Sequence, residues 1–153
     1  MPSIATNKKA LYDYQVIEKF EAGIVLSGPE VKSVKGGNIN LKGSYISIGH
    51  DDQISLIGAH IAPYKPAHAI QTSYNPTQNR RLLLNKKEID YLRGKEKEKG
   101  LTIMPISVYT KGSLIKVEIA LVRGKKQFDK RETIKKREDD RKIRRALKRT
   151  VNN

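Results

Sequence analysis

A strict alternation of residue types over Leu114 to Val122 constrains the fold more than any other stretch of the chain. One side carries only large aliphatic residues, namely Ile115, Val117, Ile119 and Leu121. The other side is mixed and carries Leu114, Lys116, Glu118 and Ala120. A period of two residues is typical of a strand with one buried face. The pattern therefore predicts a strand with Lys116 on its solvent face.

Interrupted or shorter patterns predict further strands over residues 14–26, 44–48, 53–61 and 102–109, and residues 82–84 begin either a strand or a helix. Gly23 interrupts the first pattern, which indicates a bulge, a bend or the close approach of another backbone. In the last pattern we expect Met104, Ile106 and Val108 to share one face. Pro105, on the opposite face, favours an edge strand or a bulge.

Two short helices are indicated by their end signals. Pro29 and Glu30 suit the first turn of a helix over residues 28–37, and Gly36 suits its left-handed end. Asn85 is the expected N-cap of a second helix that carries Ile89 and Leu92 inward. Between the second and third strands, residues 50–52 are expected to turn a hairpin.

Strands at hairpin-like spacing, with no alternation of strands and helices, predict a mainly β fold with short helices. We expect a closed antiparallel β-barrel of the OB type with flanking helices, because closure removes exposed strand edges. The 153 residues suffice for one domain. Residues 1–123 are predicted to form this barrel, with Met1 to Lys9 as a loose N-terminal arm, and residues 124–153 a separate tail.

The last thirty residues hold seven Lys and six Arg against five acids, so they carry +8 of the chain's net charge of +15. They contain few large apolar residues and cannot offset their ordering entropy by burial, so we expect the free tail to be disordered. A pI near 10.0 indicates an anionic partner, most commonly nucleic acid. No apolar run of membrane-spanning length or signal-peptide pattern is present, so we expect a cytoplasmic protein.

The sequence offers little for catalysis. It has no cysteine, and His50, His60 and His68 do not show metal-ligand spacing. Gly36 and Gly37 are not followed by the residues of a phosphate-binding loop. We therefore expect no enzymatic activity, no metal and no cofactor.

Binding chemistry is better supplied. Cations available for phosphate are Lys32, Lys35, Arg80, Arg81, Lys116, Arg123, Lys125 and Lys126, and aromatic residues available for stacking on bases are Tyr12, Tyr14, Tyr45, Tyr64, Tyr74 and Phe128. Glu21 is more informative than any single Lys. A carboxylate near phosphates costs binding unless it accepts from a base amino group or orients a neighbouring cation.

Four segments together resemble the SsrA-binding protein family, also called small protein B: FEAGIVLSGPEVKSVKGGNINLKGSYISI at 20–48, RRLLLNKKEI at 80–89, GLTIMPISVY at 100–109 and KVEIALVRGKKQFDKR at 116–131. The resemblance runs in register from about Asn7 to Arg131. It implies an OB-like barrel without enzymatic activity. It also implies binding to the tRNA-like domain of transfer-messenger RNA (tmRNA), with which the family rescues stalled ribosomes in trans-translation.

The resemblance also assigns residues. It implies RNA contacts at Glu21, Leu83 and Lys116. Neighbouring positions complete the predicted RNA-binding set, which adds Glu30, Lys32, Ser33, Asn40, Ser44, Tyr45, Arg80 and Arg81. One departure is Tyr12, where family members often carry His. Tyr12 can stack on a base but cannot become cationic.

For the tail, the resemblance implies contact with the ribosome by Gly124, Lys125, Lys126, Asp129, Lys130 and Arg131. The implied partners are 16S rRNA at the decoding centre and, indirectly, elongation factor Tu carrying aminoacylated tmRNA. We expect the rest of the tail to become helical in the vacant mRNA channel. The protein itself is expected to be a monomer.

Two alternatives remain open from the residues alone. One is an OB-fold ribosomal protein or a general binder of single-stranded RNA with a basic extension. The other is a metal-dependent nuclease that uses Asp51 or Asp52, although adjacent acids in a tight turn are more often turn formers.

Overall fold

A computed structural model describes residues 3–64, 73–125, 137–138 and 141–143. Most of these residues form short helices and antiparallel strands. In chain order the elements are β1 (Ser3–Thr6), α1 (Lys8–Asp13), β2 (Tyr14–Ile24), α2 (Gly28–Lys35), β3 (Ile39–Asn40), β4 (Tyr45–Ile48), β5 (Ile54–Ile57), β6 (His60–Ile61), β7 (Arg80–Leu83), α3 (Lys86–Glu96), β8 (Leu101–Lys111) and β9 (Leu114–Gly124). The prediction of a mainly β chain with short helices is confirmed.

Seven strands form one antiparallel sheet in the order β1-β8-β9-β2-β7-β5-β4, and β3 pairs with β6 in a second sheet. Within the described residues this order is linear, with β1 and β4 at its ends, so the predicted closed barrel is not found there. A side chain that follows β1 instead connects β8 with the chain that leads into β4. Asn7 Nδ2 donates to the carbonyl of Leu41, between β3 and β4, at 3.4 Å, and to that of Pro105 in β8 at 3.0 Å.

The sheet curls around one apolar core. As the alternation predicts, Ile115, Val117, Ile119 and Leu121 of β9 are all buried in this core. Burying each such side chain contributes about 1.5–3 kcal/mol. On the other face of β9, Ala120 joins a smaller cluster beneath α1 with Ala10, Ile106 and Val122. Lys116 remains on the outer face, as expected.

A bulge in β8 overturns part of the face prediction. The pairing of β8 with β9 shifts between Pro105 and Ser107, and a shift of one residue reverses every following side chain. Val108 therefore lies in the main core, whereas Met104 and Ile106 lie in the smaller cluster. The bulge expected at Pro105 is confirmed, although β8 is an interior strand.

In β2 the irregularity lies elsewhere than predicted. The pairing with β9 shifts between Val16 and Glu18, near the start of the strand. Gly23 is instead the point where two neighbouring strands meet, because it is paired with Lys116 of β9 and with Leu83 of β7. The ladder with β9 is regular at Gly23, so no bulge lies there, and the three atoms nearest to an added β-carbon belong to the side chains of Leu83 and Lys116, so close approach of another backbone is not shown.

The predicted hairpin around residues 50–52 is present, with β4 paired to β5. The expected long strand at 53–61 is wrong, since Gly58 has a φ of +82° and the chain resumes as β6 in the other sheet. In α3, Ile89 and Leu92 are buried as predicted and Asn85 is the N-cap, although its side chain caps nothing.

The first helix signal is confirmed as α2, which begins with a capping box: Ser27 Oγ accepts from Glu30 N–H, and Glu30 Oε1 accepts from Ser27 N–H at 3.1 Å. The left-handed residue after the helix is Gly37, with φ of +86°, and not the predicted Gly36, which remains helical.

The N-terminal arm is not loose over Ser3 to Lys9. β1 is paired with β8, and Asn7 is buried, caps α1 through Ala10 N–H and holds the two carbonyls described above. Of residues 124–153, the structure describes Gly124, Lys125 and five further residues at 137–138 and 141–143, which are helical and exposed. The predicted disorder of the free tail otherwise lies outside the described residues.

Candidate nucleic-acid interface

Three residues predicted to contact RNA lie on the outer face of three adjacent strands. Glu21 belongs to β2, Leu83 to β7 and Lys116 to β9. Both Leu83 and Lys116 are paired with Gly23, which lies two residues after Glu21 on the same face of β2. The register of the sheet thus brings together side chains from positions 21, 83 and 116. We call Glu21, Gly23, Leu83 and Lys116 the outer patch.

Gly23 forms the floor of this outer patch. A β-carbon added there would lie 3.4 Å from Leu83 Cβ and 3.8 Å from Lys116 Nζ. The Leu83 side chain and the Lys116 ammonium therefore flank a surface that has no side chain of its own. Leu83 is 52% exposed, so an apolar side chain lies open to solvent beside Gly23.

Two groups from β8 hold the Glu21 carboxylate, and both reach across β9. The Tyr109 hydroxyl donates to Glu21 Oε2, and Lys111 Nζ donates to Oε1 at 3.3 Å. The hydrogen bond from Tyr109 is the largest cause of a lowered pKa of Glu21; partial burial opposes it, and Lys111 and Lys116 add to the lowering. Burial and the bond to Glu21 raise the pKa of Tyr109. The carboxylate is therefore ionised and oriented at neutral pH.

Further predicted residues extend this face along the sheet. Arg81 precedes Leu83 by two residues, points outward and is exposed. Tyr45, in the terminal strand β4, is also outward and 48% exposed. Arg81 is paired with Ser55 of β5, and Tyr45 with Ile57 of the same strand. An aromatic ring and a second cation thus lie beyond the outer patch.

Lys32 and Asn40 lie in a different region, beside the small β3–β6 sheet. Lys32 is exposed on α2, with its Nζ 5.5 Å from the centre of the Tyr64 ring. Asn40 Oδ1 accepts from Lys42 N–H at 2.9 Å, and His60 is the strand partner of Asn40. The structure therefore does not bring these two residues into the outer patch.

Four residues of the predicted contact set are buried: Glu30, Ser33, Ser44 and Arg80. Ser33 Oγ donates to the Ala62 carbonyl at 2.6 Å, and Ser44 Oγ donates to the Leu41 carbonyl at 2.5 Å. As placed here, these side chains have no surface to offer to RNA. In the free chain they therefore support α2, the turn before β4 and the start of β7 from inside, and the prediction that they contact RNA is not supported.

Arg80 and Glu30 are the centre of a buried polar network. Arg80 donates to Glu30 Oε2 from Nε at 3.0 Å and from Nη2 at 2.8 Å, and Nη1 donates to the Ala59 carbonyl at 2.7 Å. The Tyr74 hydroxyl also donates to Glu30, at 3.0 Å. Burial opposes ionisation of Glu30, but hydrogen bonds from Ser27 N–H, Arg80, Tyr74 and Gln78 outweigh it and lower the pKa of this carboxyl.

The root of the tail lies at the far end of the same strands. Gly124 is exposed and paired with Tyr14, and Lys125 N–H donates to the Asp13 carbonyl at 2.9 Å. The other predicted ribosome-contacting residues, Lys126, Asp129, Lys130 and Arg131, lie outside the described residues.

The acids at the hairpin turn have local roles. Asp51 Oδ1 accepts from Gln53 N–H at 3.3 Å, and Asp52 pairs with Arg93 at 2.7 Å. Across the described ranges, no group of three or more His, Cys, Asp or Glu side chains is placed to hold a metal ion. None of the helices described is both long enough and apolar enough to cross a membrane.

Comparison with known proteins identifies the family. The family model described as SmpB protein matches residues 4–149. The chain belongs to the SmpB protein family. An SsrA-binding protein of Sulfurihydrogenibium sp. (strain YO3AOP1) is 52% identical over 145 residues, which are 95% of this chain and 93% of that protein. One of Rubrobacter xylanophilus is 47% identical and covers 97% of each chain.

A solved SmpB chain gives the same result for the fold. It comes from work on tmRNA and SmpB at the centre of the bacterial ribosome, is 38% identical, covers 80% of this chain and 85% of that chain, and superposes with a TM-score of 0.64. Family membership, first indicated by the four motif segments, is confirmed.

Sequence reasoning missed Tyr109 and Lys111. Tyr109 ends a segment that resembles the SmpB family and Lys111 lies two residues after it, yet nothing local links them to Glu21. Their link depends on the register of two ladders and on the bulge between Pro105 and Ser107. The pairing of Tyr109 with Lys116, which only the ladder shows, makes the connection, because Lys116 was already predicted to lie outward.

Proposed function

We propose that this chain binds the tRNA-like domain of tmRNA and acts with it in trans-translation on stalled ribosomes. The observation that carries the proposal is the outer patch, in which an oriented carboxylate, an exposed leucine and a cation surround a bare glycine. The SsrA-binding proteins that resemble the chain over 95% or more of its length support it.

The outer patch divides the chemistry of RNA recognition among its members. Lys116, together with Arg81 beyond the outer patch, neutralises phosphate and supplies affinity that depends on salt. Leu83 offers an apolar surface to an unstacked base, and Glu21 accepts hydrogen bonds from a base edge. Binding, rather than catalysis, is the function of this surface.

The proposal includes the shape of the sheet. The sheet functions as an OB-like barrel, in which Asn7 connects Leu41 with Pro105 of β8 through two hydrogen bonds. The chain acts as a monomer in the cytoplasm. With the tRNA-like domain it occupies the place of a transfer RNA, which elongation factor Tu accompanies through the aminoacylated end of tmRNA.

The tail completes the proposal. Residues from Gly124 to Arg131 contact 16S rRNA near the decoding centre, and the following basic residues enter the vacant mRNA channel. A chain ending after Lys125 keeps the whole of β9 and its bond to Asp13. We expect this truncation to retain affinity for the tRNA-like domain and to lose tagging of stalled nascent chains.

Filter binding and a reconstituted tagging assay test this division. Leu83→Ala in the full chain is the complementary variant, since it should weaken RNA binding and tagging together. Equal loss of both activities on truncation would contradict the separate role of the tail. Displacement of the tRNA-like domain by any RNA of equal length would favour the general single-strand binder instead.

A further inference from the structure

We propose that a cavity between α1, β4 and β8 binds the Phe128 ring of the chain's own tail while the protein is free. The cavity lies near the Tyr14 end of β2, whereas the outer patch lies near the other end of the same strand. The contact is made within the free chain and involves no RNA. It therefore goes beyond the proposed function and does not depend on it.

The cavity has a volume of about 390 Å³ and lies where α1 approaches the start of β4 and the first half of β8, two strands that are not paired with each other. We call it the seam cavity. Its volume is within the range of about 300–1,000 Å³ that small ligands occupy in proteins, so one aromatic side chain can enter it. The lining residues that matter here are Ala10, Asp13, Tyr14, Tyr45, Thr102 and Met104.

Part of the wall of the seam cavity is apolar. Ala10 is buried in the smaller cluster beneath α1, and Tyr14 and Met104 are half-buried against that cluster. Two of the four buried members, Ala10 and Ala120, are alanines, so the cluster has little apolar volume of its own. An aromatic ring placed here would contact the Met104 sulfur and the Tyr14 ring, both of which are favourable partners for it.

The tail begins at the rim of the seam cavity. Gly124 is paired with Tyr14, and Lys125 N–H donates to the Asp13 carbonyl at 2.9 Å. Asp13 and Tyr14 both line the cavity. Phe128 follows Lys125 by three residues, which span at most about 10 Å when extended. It is the first large apolar residue after β9, so it is the first side chain of the tail that suits the apolar wall.

Tethering favours Phe128 over other occupants. A ring attached by so short a linker binds at a high effective concentration, whereas a separate ligand must be supplied from solution. Lys9 and Asp13 both line the seam cavity, so its rim carries opposite charges and selects neither an anion nor a cation. An uncharged ring is the better match. The predicted disorder of the free tail then applies only beyond Phe128.

The composition of the chain allows a direct test by nuclear magnetic resonance. Phe20 and Phe128 are its only phenylalanines, and Met1 and Met104 are its only methionines. We expect a nuclear Overhauser cross-peak between the Phe128 ring and the Met104 methyl group in the free full chain, with ring-labelled Phe and methyl-labelled Met. Phe20, whose ring centre lies 6.1 Å from that of Tyr91, is the internal reference. Absence of the cross-peak would overturn the inference.

The same labels distinguish a contact within one chain from a contact between two copies. Chains labelled only at Phe are mixed with chains labelled only at Met. A cross-peak between Phe128 and Met104 that appears in doubly labelled chains and not in the mixture supports the inference. A cross-peak in the mixture would mean that the ring docks on a second copy, and it would overturn the inference.

Thr102→Tyr tests the cavity itself, because it places a ring in the seam cavity from β8 and should abolish the cross-peak between Phe128 and Met104. Thr110→Tyr is the matched control, since Thr110 lies on the same strand outside the cavity, and it should keep the cross-peak. Phe128→Ala should lower the thermal unfolding midpoint of the otherwise unchanged chain by about 2–4 °C. It should have no effect in the Thr102→Tyr chain. Equal shifts, or no shift, in both backgrounds would overturn the inference.

Discussion

Arg80 and Glu30, 50 residues apart in the sequence, form a buried salt bridge in which Nη2 lies 2.8 Å from Oε2. The same guanidinium donates to the carbonyls of Ala59 and Pro76. Arg80 thereby ties α2 to the start of β7 and to the chain on either side of residues 65–72. Because Leu83 follows three residues later, this network also fixes the strand that carries the outer patch.

Replacing Arg80 with Met should destabilise the fold by about 3–5 kcal/mol, because it leaves the Glu30 carboxylate buried without its partner. Arg81→Met is the matched control, since Arg81 is the exposed neighbour on the same strand and should change stability little. Urea denaturation followed by circular dichroism measures both. Equal stability of the two variants would contradict a structural role for the buried pair.

The stability of the protein should fall in acid partly through Glu30. Its pKa is lower in the folded protein than the ordinary value of 4.5, so ionisation favours folding above that value. This contribution is lost as the pH falls through the folded-state pKa. The difference in unfolding free energy between wild type and Glu30→Gln should therefore shrink as the pH is lowered from 6 to 3. A constant difference would show that Glu30 does not titrate with folding.

The strands could be predicted from the sequence where one face is wholly apolar. Ile115 to Leu121 fixes the inner face of β9, and Lys116 follows as outward. In β8 the same reasoning failed at Val108, because a bulge moves the pattern by one residue without altering the residue types. A period of two residues identifies a strand, but only its pairing with a neighbouring strand shows where a bulge shifts the register.

The buried set shows a second limit. Glu30 and Arg80 have charged side chains, which are seldom buried. Because they lie 50 residues apart, the sequence does not show that they form a pair. A partial signal existed, since Ser27 and Glu30 have the spacing of a capping box, which directs Glu30 back toward the backbone. Asn7 gave no comparable signal, because its two distant carbonyl partners are known only from the fold.

Gly23 should tolerate one added methyl group but not a branched side chain. Gly23→Ala places its β-carbon at ordinary contact distance from Leu83 and should bind RNA within about threefold of wild type, since no hydrogen bond is lost. Gly23→Val covers the floor and displaces the Lys116 ammonium, so affinity should fall about tenfold, as for loss of a charged contact. Both variants should fold, because Val suits a strand. RNA-binding measurements on the two variants test this. Full affinity of Gly23→Val would show that the RNA does not need an open surface at Gly23.

Lys116 and Leu83 should weaken RNA binding in different ways. Lys116→Ala should reduce the slope of log K against log salt by roughly 0.7–0.9, the value for one phosphate contact. Leu83→Ala should lower affinity without changing that slope, because an apolar contact releases no counterion. Lys99→Ala, at an exposed position after α3, is the control for Lys116. An unchanged slope for Lys116→Ala would mean that its ammonium does not meet phosphate.

The ladder between β2 and β9 has a consequence for how two large partners are arranged. Its pairs run from Tyr14 with Gly124 to Gly23 with Lys116, nine residues and roughly 30 Å apart along an extended strand. If the RNA binds at Gly23, as proposed, then it and the tail that leaves at Lys125 lie at opposite ends of one pair of strands. On that proposal, the position of the RNA on a ribosome sets the point from which the tail begins.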